Sequence, residues 1–124
     1  MTGTQTLRAV AYGLAFWFAA AMVVRHAPLF DGGVANAVLL IVTIPIAWAS
    51  IAVGRIACGV GRDRVLDAHV VATIAATLAD GIGLTFLADH LYAGITPASQ
   101  FGAAWILWGV GLILLFAMRA GRKR

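Results

Sequence analysis

Charge is what this sequence lacks most. Of its 124 residues only 11% are charged, whereas 62% are hydrophobic. A soluble domain carries about 25% charged residues, so a water-facing surface cannot be built from this set. Cysteine is nearly absent: Cys58 stands alone, which excludes an intramolecular disulfide and a cysteine-based metal cluster. A lone cysteine in an apolar chain reads as a small buried residue. The only serines are Ser50 and Ser99. Ser50 has no histidine near its depth and Ser99 falls in a loop, so no hydrolytic triad can be assembled. No catalytic residue, no enzyme and no cofactor are expected.

What is present is long apolar sequence, with a mean hydropathy of +0.95. Four runs over about 7–25, 35–54, 69–91 and 101–118 are long enough to span a bilayer. The chain is too short for two domains. The expected fold is therefore all-α: one transmembrane domain over 1–124, an antiparallel four-helix bundle. The first run has a signal peptide as its rival reading. It is longer than a usual signal core, and Arg25-His26-Ala27-Pro28 follows it in place of a small-residue cleavage site. It reads as a span, preceded by a short, polar, frayed end over 1–6.

The connections fix the orientation. The net charge is +4, and the basic residues gather at span ends without interleaved aromatics, which argues against nucleic acid. Placing both termini and the 54–67 loop on one side puts Arg8, Arg55, Arg62, Arg64, Arg119, Arg122, Lys123 and Arg124 together and leaves only Arg25 opposite. The positive-inside rule makes that side the cytoplasm. The glycines of the 54–67 loop are followed by no Gly-Lys-Ser/Thr, so they do not make a phosphate-binding loop. Turns are expected at Arg25–Gly33 and over 93–100, where Pro28, the Gly32-Gly33 pair, Gly94 and Pro97 break helix. Pro45 interrupts the second run and is expected to kink it. Trp17 and Trp48 fall inside their runs and read as packing residues. Trp105 and Trp108 lie nearer the outer end and read as interfacial anchors.

One residue stands out chemically. Asp80 lies about ten residues, roughly 15 Å, from either end of the third run. A carboxylate at that depth costs about 2.5–3.5 kcal/mol on insertion scales, so something must repay it. Thr73 and Thr77 share its helix face. On the second run Asn36, Thr43 and Ser50 recur every seven residues, with Ala47 and Gly54 alongside. This is a small, weakly polar stripe of the kind that packs helices in lipid. No arginine or lysine matches the depth of Asp80, so Thr43 or Ser50 is the expected hydrogen-bonding partner. The candidate coupling or ion-binding set is Asp80, Thr77, Thr73, Thr43 and Ser50. A structural clamp between helices is the alternative role. At the outer rim, His26, Asp89 and His90 form a weaker candidate for a metal, and an Arg25–Asp89 salt bridge is within reach. His69, at the other end, cannot join them.

From Leu78 onward the residues Asp80-Gly81, Phe86 and His90-Leu91-Tyr92, and then the run Ala103-Ala104-Trp105-Ile106-Leu107-Trp108-Gly109, resemble a family of small four-span bacterial inner-membrane proteins known as a domain of unknown function. The resemblance covers about the last third of the chain. It implies a multi-pass inner-membrane setting and brings no activity, cofactor or partner. The function expected from the residues is a proton- or cation-coupled transporter or channel-like protein using Asp80. Small multidrug exporters carry a glutamate in their first span, and this first run has none. The alternative is an accessory or assembly subunit of a larger membrane complex, and a metal- or cofactor-bearing redox protein ranks behind both. Expected partners are membrane lipids and either further copies of the chain or a larger complex.

Overall fold

A computed structural model of the chain describes residues 1–92 and 97–122, with the backbone alone at 97–99. The turn expected at 93–96, together with Lys123 and Arg124, lies outside the described residues. Every element among the described residues is helical: α1 Gly3–His26, α2 Val34–Cys58, a 3-10 turn Arg62–Arg64, α3 Val65–Phe86, the short α4 Ala88–Leu91, and α5 Pro97–Arg122. Four stretches, Gly3–His26, Val34–Cys58, Arg62–Phe86 and Gln100–Arg122, are long and apolar enough to cross a membrane. They form an all-helical bundle in which α1 packs chiefly on α3, and α2 on α5.

The helix ends depart from the sequence reading for local reasons. Residues 1–6 are not frayed. Thr2 and Gln5 form a capping box, with Gln5 N–H donating to Thr2 Oγ1 at 3.1 Å and Thr2 N–H to Gln5 Oε1 at 2.9 Å. This satisfies donors that a helix start leaves bare. Gln5 Nε2 also donates to the Gly59 carbonyl at 2.8 Å, tying the start of α1 to the end of α2. Gly59 ends α2 in the left-handed region at φ 66°. Its N–H bonds Ile56 O and the Val60 N–H bonds Arg55 O, both at 3.1 Å, which is the Schellman arrangement. Pro45 lies inside α2 without ending it. At the other end of the chain, α5 starts at Pro97, a residue preorganised for the first helical position, so 97–100 begin a helix and do not belong to the turn.

The third span is the largest departure. It was expected to run on to residue 91, but α3 stops at Phe86. Leu87 breaks the helix at φ −125°, ψ 22°, and the single turn of α4 follows. Asp80 is therefore six residues, roughly 9 Å, from the end of its helix and not at mid-span.

The seven-residue stripe is the buried side of α2, with Asn36, Thr43, Ala47, Ser50 and Gly54 all enclosed. Trp48 was expected to pack inside and instead is 68% exposed. It sits one residue beyond Ala47, a rotation of 100° off the buried stripe. Between α1 and α3 the backbones approach closely: a β-carbon on Gly13 would run into the Ala72 carbonyl. Small residues permit such contact, which in lipid supplies much of the helix–helix attraction. Gly81, by contrast, has nothing within 4 Å of an added β-carbon. Gly13→Ala should therefore lower bundle stability by about 1–3 kcal/mol, whereas Gly81→Ala should stay within about 0.5 kcal/mol of the parent. Reversible unfolding in mixed micelles measures both, and equal effects would contradict this packing.

Candidate functional site

The site is made by the break after α3. Because the chain turns at Leu87, Tyr92 folds back into the bundle until only 1% of it is exposed. Its phenol donates to Asp80 Oδ1 at 2.5 Å. The same phenol oxygen accepts from Trp17 Nε1 of α1 at 3.0 Å. Burial, and then the hydrogen bond to Asp80, hold the Tyr92 phenol above the ordinary tyrosine range, so it remains a donor. Trp17, Tyr92 and Asp80 thus form a continuous chain of hydrogen bonds linking α1, the segment after α4, and α3.

Arg25 holds that returning segment in place. Its Nη1 donates to the carbonyls of Asp89, His90 and Tyr92 at 2.9, 2.7 and 3.2 Å. The Arg25–Asp89 salt bridge is thus replaced by bonds to the backbone. The carbonyls left bare where α4 ends are the stronger claim on a guanidinium. Among the described residues the only ion pairs are those of Arg64 with Asp63 and Asp67.

The expected companions of Asp80 sit elsewhere. Thr43 Oγ1 donates to Leu39 O at 2.6 Å and accepts from Trp105 Nε1 at 2.8 Å. Ser50 Oγ donates to Ala47 O at 2.7 Å. Each hydroxyl is occupied by its own helix, so neither bonds Asp80. Thr77 is exposed and bonds back to Thr73 O and Ile74 O. It points away from the bundle along an uncovered row with Gly81 and Thr85, because three residues on a helix turn the side chain by 300°, not a full circle. Thr43, Ser50, Thr73 and Asp80 do line one cavity of about 280 Å³, whose wall is otherwise aliphatic and aromatic, with Phe16, Trp17 and Trp105. At the rim His26, Asp89 and His90 are all exposed. Among the described residues no three His, Cys, Asp or Glu side chains gather as a metal would need.

Two residues gain importance that the sequence did not give them. Trp105 is not an outer anchor: it bonds Thr43 and stacks against Phe30 with centroids 5.5 Å apart. Trp108 is exposed and donates to Leu40 O, which suits an anchor. His69, expected at a water boundary, is only 2% exposed. Its Nδ1 donates to Val65 O at 2.8 Å. Among the described residues Nε2 has no partner, and it faces Gly54, whose missing side chain makes the space.

Tyr92→Phe should destabilise the protein by about 1–3 kcal/mol, since it removes the phenol that donates to Asp80 and accepts from Trp17. The same change made in an Asp80→Asn background should cost clearly less, because the two side chains act as one unit. A double-mutant cycle of unfolding free energies reads this, and strict additivity would refute the pairing. No family model, curated protein or solved structure matches this chain.

Proposed function

We propose that this chain is a proton- or cation-coupled transporter or channel-like protein in which Asp80 is the coupling carboxylate. The observation that carries the reading is the hydrogen-bond chain Trp17–Tyr92–Asp80 at the wall of an apolar cavity inside the bundle. Among the described residues no cation pairs with Asp80. A carboxylate held by neutral donors, with no fixed counter-ion, can load and release a positive charge, whereas a carboxylate locked to an arginine cannot. The proposed arrangement is an antiparallel bundle with both termini in the cytoplasm, supported by the gathering of basic residues at one set of span ends. A bacterial inner membrane is supported by the resemblance of the last third of the chain.

A second reading, an accessory or assembly subunit of a larger complex, is favoured by the uncovered row Thr77, Gly81 and Thr85 on α3. Small residues spaced by four let another helix approach closely in lipid. The same row suits contact with a further copy of the chain. Lipids and one of these protein neighbours are the proposed partners. A metal or redox role has the weakest support, because His26, Asp89 and His90 are not drawn together.

In proteoliposomes enclosing a pH-sensitive dye, the parent protein should give a proton flux that Asp80→Asn lowers to the level of empty vesicles, while Thr77→Val leaves it unchanged. A parent-like flux from Asp80→Asn would end the coupling reading. A reporter fused after Arg124 should be active only in its cytoplasmic form.

A further inference from the structure

We propose that the cavity beside Asp80 binds a lipophilic organic cation: one ammonium centre on a compact aromatic or branched aliphatic body. The inference rests on the coupling reading and names the substrate class of the same site. Four lines of geometry lead to it.

The cavity, at about 280 Å³, lies at the lower edge of the ~300–1,000 Å³ usual for small-molecule pockets, so it suits a small ligand. Most of its polar groups are already committed. Thr43 and Ser50 bond their own helix and Tyr12 Oη donates to Ser50 O. His69 also lines the cavity, and its Nε2, which has no partner among the described residues, lies against Gly54. Asp80 is left as the one charged group on the wall. Its Oδ1 takes the Tyr92 bond. The ligand therefore needs a positive charge at one end and little polarity beyond it.

An inorganic cation is a poor match. Sodium-like or divalent ions need about six or more oxygen ligands, and this wall supplies one carboxylate, with the Tyr12, Thr43 and Ser50 hydroxyls already committed. An organic cation needs no such shell. Its charge is spread over carbon-bound hydrogens, which aromatic faces stabilise. Phe16, Trp17 and Trp105 are aromatic residues lining the cavity. The rest of the wall, with Ala20, Ile46 and Val110, rewards an apolar body at about 25 cal/mol per Å² removed from water. The cation and a proton would compete for the same carboxylate: a protonated Asp80 must release its proton when a monovalent cation takes its place, and charge is conserved in that exchange.

The test is equilibrium binding to the full chain in phosphatidylcholine nanodiscs by titration calorimetry, with benzyltrimethylammonium, tetramethylammonium and sodium as probes. Benzyltrimethylammonium should bind saturably at one site. Tetramethylammonium, which has the charge without the body, and sodium should each bind at least about tenfold more weakly. Asp80→Asn should lower the benzyltrimethylammonium affinity by about tenfold or more. Ala76→Leu, which fills the cavity wall and leaves the charge alone, should do the same. Equal binding of all three probes, no saturable binding, or unchanged affinity in Asp80→Asn would each overturn the proposal. If Asp80→Asn does not fold, the probe series on the parent protein and Ala76→Leu decide the matter. The outcome is separable from that of the flux assay. Asp80-dependent proton flux without organic-cation binding would overturn this inference and leave coupling standing. Saturable binding without flux would do the reverse.

Discussion

The structure depends on the bond between Tyr92 and Asp80. A carboxylate at the centre of a span costs about 2.5–3.5 kcal/mol, an upper bound for Asp80, and a hydrogen bond to a charged group returns about 1.5–3 kcal/mol. One phenol therefore offsets most of the penalty. The phenol can reach Asp80 only because α3 stops at Phe86 and the chain doubles back through α4. On an unbroken helix the two residues would stand twelve positions, roughly 18 Å, apart. The break exposes backbone carbonyls, and Arg25 covers three of them. The last turn of α1, the break after α3 and the placement of the carboxylate thus form one linked arrangement, in which the loss of any member unsettles the other two.

The four spans were legible because each apolar run is long and each boundary carries glycine, proline or charge. The buried face of α2 was legible too, since Asn36, Thr43 and Ser50 mark it at a strict spacing. The break at Leu87 was not. Nothing between Thr85 and Leu91 is a glycine or proline, so the run reads as helix throughout, and only a contact distant in sequence ends it. Asp80 could be picked out by its charge. Its partner could not, because Tyr92 was expected on the same straight helix and so out of reach. The same tertiary origin explains His69 and Trp48. Their depth is set by which way α3 and α2 rotate in the bundle, and flanking composition does not record rotation.

The two kinds of contact inside the bundle divide it unevenly. Hydrogen bonds join α1 to the end of the third span through Trp17 and Arg25, and α2 to α5 through Trp105 and Trp108. Each pair is therefore held by directional bonds within itself. The cavity has walls from both pairs.

Between the pairs, the side-chain bonds among the described residues cluster towards the first half of α1: Gln5 to Gly59 O, and Tyr12 to Ser50 O. Towards the other end, Val24 of α1 and Phe30 of the turn after it meet Phe101 and Trp105 of α5, contacts without hydrogen bonds. The two pairs are thus joined across the bundle by oriented bonds at one end and by apolar packing at the other.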